Sequence, residues 1–395
     1  MATARQANKR SGEFRVVEAG SNGYSAFHPR PLPPDPPIEI DGEVQGLLDQ
    51  ANQALGRLDG VTLLLPDPDQ FLYTYVRKEA VLSSQIEGTQ SSLSDLLLFE
   101  ADAAPGVPMS DAQETSNYIA AMNHGLERIQ SGELPLCNRL FREAHGLLLR
   151  SGRGSERSPG QFRREQNWIG GNRPALARYV PPPWKEVEPA MGKLEKFLHD
   201  DPERTPILVK AAVSHAQFET IHPFLDGNGR VGRLLITLLL VADGVLKRPL
   251  LYLSLYLKQN RDDYYDHLQR IRTEGAWEAW LRFFLEGVVE VAESTTATTR
   301  HLVHMIERDR QTIHDFGRAA ATALRVHDLA SRFVVFRPTS AAKLLKMSDP
   351  PVYAAARRLE AAGILREVTG RQRGKLYAYD EYLALLNEGT TEPTS

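Results

Sequence analysis

The stretch IHPFLDGNGRVGRLL, residues 221–235, can be read in two ways. Gly227, Gly229 and Gly232 have the G-x-G-x-x-G spacing of a dinucleotide-binding turn, yet His222, Asp226, Asn228, Arg230 and Arg233 are residues such a turn does not need. A dinucleotide turn requires a strand before its glycines, because the pyrophosphate binds where a strand feeds a helix. The preceding ILVKAAVSHAQFETI instead has apolar residues at helical spacing and is stopped by His222-Pro223. The dinucleotide reading therefore fails on context, and what remains is a polar loop between two helices.

Such a loop suits a phosphate. Gly227 and Gly229 let the backbone turn sharply and let a ligand come close to its amides. A helix starting near Arg230 presents unpaired N–H groups and its positive dipole end to the loop, which makes an anion site. Arg230 and Arg233 are three apart on one helical face, where two guanidinium forks can clamp phosphate oxygens. A carboxylate beside them is best explained as a magnesium ligand, since magnesium in nucleotide enzymes uses one or two carboxylates plus phosphate oxygens; that assigns Asp226. His222, at the mouth of the loop, is placed to accept a proton from an attacking hydroxyl. Taken singly, each residue has a plainer role: His before Pro as a cap, Asp-Gly-Asn-Gly as a turn, paired Arg facing solvent. Together, the run is consistent with a single arrangement of phosphate, metal and base.

His222-Pro223-Phe224-Leu225-Asp226-Gly227-Asn228-Gly229-Arg230-Val231-Gly232-Arg233 resembles, at every defined position, the HPFxDGNGRxxR motif of Fic proteins. The resemblance implies a mainly α-helical Fic core with a short β-hairpin flap, and an enzyme that moves AMP from ATP to a hydroxyl side chain of a target protein or of itself. It implies His222 as general base, Asp226 as Mg²⁺ ligand and the Gly227 to Gly229 amides with Asn228 as the anion hole. Arg230 and Arg233 would hold the outer phosphates, and Phe224 would anchor the loop in the core. The kinase-like Doc branch has a basic residue where this chain has Gly229, so the resemblance favours AMP over phosphate transfer. Tyr264 and Tyr265, in RDDYYDHL, resemble the pair near the adenine, though a buried aromatic pair reads the same way. Residues 161–180 resemble the flap, with Trp168, Ile169, Gly170 and Gly171 at its turn. An exposed strand edge there suits pairing with an incoming target segment.

SSQIEGTQ carries Ser83-x-x-x-Glu87-Gly88. At that spacing Ser83 and Glu87 share a helical face, and Gly88 permits close approach of another element. By itself this is a helix end with a solvated carboxylate. Beside the Fic motif it matches the inhibitory [S/T]xxxE[G/N] signature, implying an autoinhibited class in which Glu87 pairs with Arg233 and displaces phosphate from that guanidinium. In some relatives the same glutamate aligns a water for AMP removal.

Composition bounds the rest. At 395 residues, 42% hydrophobic and 25% charged, the chain is an ordinary globular protein with room for two or three domains. A net charge of −3 excludes a uniformly basic nucleic-acid coat but not a local basic module. The single cysteine, Cys137, excludes a disulfide framework and a cysteine zinc site. Nothing in SGELPLCNRLF offers it an activating base, and one cysteine fits a reducing cytosol. The N-terminus, MATARQANKRSGEF, lacks the apolar core of a secretory signal, and the longest apolar run, 234–241, is far short of the roughly 20 residues that span a bilayer. A cytoplasmic protein is expected, without a membrane partner.

Along the chain we expect an extended arm over 1–36, a helical region with the inhibitory helix over 37–105, the Fic core over 106–295, a linker helix over 296–324 and a separate module over 325–395. The hairpin at 161–180 is the only strong strand signal in the first three hundred residues. In the last module, residues 325–377 hold eleven Lys or Arg against four Asp or Glu. Helix, turn, helix and two strands about the basic turn GRQRGK resemble a winged helix-turn-helix domain. Such a domain serves DNA contact, dimerisation or protein binding, so DNA and a homodimer are both candidate partners. The rival to an AMP transferase is a DNA-binding regulator whose Fic core only senses ATP.

Overall fold

The computed structural model describes residues 10–18, 23–61, 68–101 and 109–388. Two strands come first, β1 (Gly12–Glu18) and β2 (Tyr24–Pro29), paired antiparallel with Phe14 opposite Phe27. Helices follow: α1 (Gly42–Val61), α2 (Pro68–Ile86), α3 (Leu93–Glu100), α4 (Met109–Gln130), α5 (Asn138–Leu148), α6 (Trp184–Leu198), α7 (Ile207–Ile221), α8 (Asn228–Ala242), α9 (Ser254–Gln259), α10 (Arg261–Glu274) and the long α11 (Trp277–His314). The chain closes with α12 (Ala320–Phe333), β3 (Val335–Phe336), α13 (Pro338–Leu345), α14 (Asp349–Ala361), β4 (Arg366–Glu367), β5 (Tyr377–Ala378) and α15 (Asp380–Asn387). The protein is mainly helical, as the periodicity predicts.

The strands fall elsewhere than expected. Within the arm, β1 and β2 form a regular pair, so 161–180 is not the only strand signal before residue 300. The expected hairpin at 161–180 reduces to one bridge, Ile169 with Tyr179, around a 3₁₀ turn at Pro174–Leu176. Gly170 and Gly171 turn with φ of 72° and 73°, and Pro174, Pro181, Pro182 and Pro183 have no N–H to give a ladder, so pairing stops after one bridge.

Packing gathers the chain into two compact units. Of the described residues, one unit holds those up to Gly56, Asn117–Lys247 and Tyr256–Glu290; the other holds those between Arg57 and Ser116, Arg248–Leu255 and those from Val291 to Glu388. In the first unit, α7 is buried from 208 to 221 and α8 from 230 to 241. Both helices are enclosed on all sides, their buried polar side chains such as His215 and Arg230 included, and α7 and α8 form the centre of this unit. They approach closely at Gly232, where a Cβ would stand 2.6 Å from Glu219 Oε1 and 3.3 Å from the His215 ring. No described helix is long and apolar enough to cross a membrane.

In the second unit the terminal elements follow the predicted order of helix, turn, helix and two strands. Their small sheet has the order β3-β5-β4, with Val335 and Arg366 both paired to Ala378. Buried Tyr379 ties this sheet to its helices, donating to Asp309 Oδ2 at 2.5 Å and standing 3.1 Å from His327 Nε2.

Gly232→Ala should lower stability by about 1–3 kcal/mol through overpacking. Gly192→Ala, in α6, meets nothing within 4 Å and should gain roughly 0.5–1 kcal/mol from helix propensity. Urea unfolding of both variants checks the pair, and equal effects would contradict the α7–α8 contact.

Candidate active site

The loop between α7 and α8 begins with an uncommon backbone. His222 closes α7 with its N–H on Phe218 O at 2.8 Å, then turns left-handed at φ 51°, ψ 62°. A non-glycine residue rarely adopts this conformation, and a residue before proline is pushed toward extended geometry. Such strain persists where surroundings over-determine it. Here they do: Arg163 Nε donates to His222 O at 2.9 Å, and the Arg163 N–H donates to Pro223 O at 2.9 Å.

The following carbonyls are held by side chains as well. Phe224 is fully buried, its ring stacked on His145 at 3.8 Å and 7°. Phe224 O accepts from Asn167 Nδ2 at 2.9 Å and Asn228 Nδ2 at 2.8 Å, while Phe224 N donates to Asn228 Oδ1 at 2.8 Å. Gly160 N donates to His145 Nδ1 at 2.8 Å, so His145 Nε2 carries the proton that reaches Asp226 O at 3.0 Å. Arg163, Asn167 and His145 lie outside the motif; nothing local in the sequence separates Arg163 from its neighbour Arg164.

This bracing refines the expected anion hole. Both ends of the Asn228 side chain are committed to Phe224, so Asn228 shapes the loop rather than reaching into it. The first helical bond of α8 runs from Val231 N to Gly227 O, which leaves the Asn228 and Gly229 amides ahead of the ladder, at the positive end of the helix. Gly227 is left-handed at φ 76° and gives its N–H to Asp226 Oδ1 at 2.6 Å. Arg230 and Arg233 are 1% and 2% exposed, and Arg230 Nη2 lies 3.8 Å from Asp226 Oδ1.

Asp226 keeps its side chain 37% exposed. Gly154 passes so close that a Cβ there would stand 2.7 Å from Asp226 Oδ2. Among the described residues no group of three His, Cys, Asp or Glu side chains is placed to hold a metal. A divalent cation therefore fits here through Asp226 with the remaining ligands from nucleotide and water, a donor set suited to magnesium.

His222 is 17% exposed and faces the Glu219 carboxylate, whose Oε2 is 3.8 Å from Nδ1. Burial, and then the cations of Arg163 and Arg272, push its pKa down to about 3, so the ring is neutral at neutral pH. Arg272 is buried in this wall, its guanidinium 3.8 Å above the Tyr179 ring and donating to Glu219 O at 3.1 Å. Tyr179 in turn donates to Thr220 O at 2.5 Å, fastening the base of the flap to α7.

The remaining expected positions divide. Trp168 is 39% exposed and Ile169 half-buried, with Gly170 and Gly171 at the turn beyond them. A Cβ on Gly171 would stand 2.5 Å from Leu176 O, so that turn needs glycine. Tyr264 is a core residue: 1% exposed, packed between His215 and Trp280, with its hydroxyl 2.9 Å from His215 Nε2. Tyr265, partly exposed, is the one left to meet a ligand. In the other unit, Ser83 is buried in α2, while Glu87 and Gly88 form the turn just past its end. Gly88 is there for its φ of 97°, not for a close approach, since a Cβ would meet nothing within 4 Å.

With this geometry in place, the comparisons are specific. The model of the Fic/DOC family N-terminal region matches residues 45–127, and the Fic/DOC family model matches residues 135–240, which include the loop. A protein adenylyltransferase Fic from Aedes aegypti is 28% identical over 262 residues, 66% of this chain and 49% of that one. Its counterpart from Drosophila melanogaster is 31% identical over 163 residues, 41% of this chain and 30% of that one. The chain thus spans half or less of these relatives. The crystal structure of a Fic family protein from Desulfovibrio desulfuricans shares the fold, with a TM-score of 0.55 at 20% identity over 87% of this chain and 97% of that one.

Two buried histidines of the first unit give a pH signature. Burial lowers His145 and His215 from 6.5 to about 4 each. Above pH 6.5 both are neutral folded or unfolded. As pH falls from 6.5 toward 4 the unfolded chain takes up protons first, so stability drops, by up to about 3 kcal/mol per histidine. Urea midpoints measured across this window should fall, and His145→Gln should flatten the slope by one proton.

Proposed function

We propose that this protein is an AMP transferase acting on a hydroxyl side chain of a target protein or of itself, with Glu87 as its brake. The observation that carries the reading is the braced loop itself: a neutral His222 fixed beside α8's open amides, two buried guanidiniums and one exposed carboxylate. In this reading Arg230, Arg233 and the Asn228 and Gly229 amides bind the phosphates of ATP, and Asp226 holds Mg²⁺. Bound there, the ion neutralises phosphate charge. His222 takes the proton as the hydroxyl oxygen bonds to the α-phosphorus, and the bond to pyrophosphate breaks. Orientation and charge neutralisation supply most of the acceleration. The flap around Trp168 and Ile169 aligns the target segment, and Tyr265 meets the adenine. The relatives named as adenylyltransferases and the matched domains support this reading.

Parallel incubation of protein and lysate with α-labelled and γ-labelled ATP tests it. Label from the α position alone is expected, with a roughly 100- to 10,000-fold loss in His222→Ala and a rise in Glu87→Gly. Label from γ alone would sink the assignment. Equal labelling by parent and Glu87→Gly would sink the brake. Release of AMP from a modified target as the main activity would assign the glutamate to AMP removal instead.

A second role is favoured by charge. The terminal unit's excess of seven positive charges over 325–377 is accompanied by exposed Arg357 and Arg358 on α14 and exposed Arg371 and Arg373 between β4 and β5. We read these elements as a winged helix that sets α14 in a groove of duplex DNA, with the basic turn on phosphates. A mobility shift on mixed duplex DNA that weakens steeply with salt is expected; no shift at low salt removes this role and leaves protein binding or dimerisation.

A further inference from the structure

The helix that leads to Glu87 is packed among elements from the far end of the chain. The Tyr73 ring of α2 meets Phe333 of α12 edge-on, with centroids 5.2 Å apart. Phe71 meets Tyr382 of α15 at 6.1 Å. Tyr75 shares a hydrogen bond of 2.9 Å with Thr299 of α11. Lys78 is 2% exposed, and its ammonium donates to Glu388 O at 3.1 Å, 310 positions away, while lying 4.5 Å from the Tyr252 ring. Asn387, at the end of α15, donates to Ser94 in α3 at 3.0 Å.

These contacts share a direction. Residues 71, 73, 75 and 78 are the anchors, and all of these contacts lie in one compact unit. From Lys78 the helix runs only about 12 Å to its end at Ile86, at 1.5 Å per residue, so a shift at the anchors is carried by a rigid rod to the residue before Glu87. A buried ammonium is costly unless held by acceptors or a ring face, so Lys78 ties α2 to the end of α15 rather than merely touching it. Burial lowers its pKa to about 8, in keeping with that enclosure.

We propose that the C-terminal module is the seat of the brake: α12 and α15 hold α2 in the position from which Glu87 restrains AMP transfer, and loosening that grip releases the enzyme. This rests on Glu87 being the brake. It gives the terminal module a part in catalysis that requires no contact with nucleotide. Whatever occupies or deforms the module then acts on the brake through α2.

The test is a set of double-variant comparisons on the full chain, reading transfer from α-labelled ATP. Phe333→Ala removes the edge contact on Tyr73, and Lys78→Met removes the tie to α15 while keeping an apolar stem. Each should raise basal transfer on the order of 2- to 30-fold, the range for positions that tune coupling. Added to Glu87→Gly, neither should raise it further, because the brake they release is already gone. A variant with parental circular dichroism and parental transfer, in an experiment where Glu87→Gly is raised, overturns the proposal. So does a gain of the same factor on top of Glu87→Gly, since it would act independently of the brake. If Phe333→Ala does not fold, Lys78→Met decides alone. A silent Glu87→Gly is a different failure: it removes the brake itself, and the proposal with it.

Discussion

The guanidinium of Arg163 is 2% exposed and spends its donors on backbone carbonyls: His222 O, Pro182 O, Glu165 O and, more distantly, Ile221 O. Burial pulls its pKa down to about 10, which leaves it a cation at neutral pH. A buried charge satisfied only by carbonyls is tolerable because those carbonyls come from segments that must be joined anyway: the end of α7, the loop and the base of the flap. Remove it and His222 has no reason to remain left-handed. Burial is the main cause of the lowered His222 pKa and the Arg163 charge adds to it, so the side chain that fixes the proposed base also helps keep it neutral.

Around this brace the loop divides labour between side chain and backbone. Asn228 and His145 use their side chains to hold the loop's shape, while the amides at the start of α8 stay ahead of the helical ladder. Gly232 serves a different end from the one its spacing suggests, since it lets α7 and α8 meet beside Glu219 and His215. A motif that reads as a list of ligands is, in the folded chain, nearly half scaffold.

Much of this was legible because it is local. The loop's residues are contiguous, and the helices on either side have unbroken apolar patterns, so position and chemistry could be read together. The β1–β2 pair was also within reach: EFRVVE and YSAFHP are aromatic and β-branched runs bracketing Ser21-Asn22-Gly23, but the surrounding Arg, Ser and Pro composition outweighed them. Arg163 was not legible, because which of two adjacent arginines turns inward is decided by carbonyls 59 residues away. Tyr264 and Tyr265 look alike in sequence and are separated only by which side of α10 faces His215. The grip of α12 and α15 on α2 leaves no local signal at all.

Gly154 passes within a methyl group's width of Asp226 Oδ2, while the Gly227 amide holds Oδ1. The carboxylate is thereby restricted on both oxygens before any cation arrives. Fixing a free aspartate rotamer upon binding would cost entropy at that moment; here most of that ordering is done during folding. If Asp226 holds a divalent ion as proposed, its affinity would depend on a glycine more than seventy positions away, which contributes no ligand atom.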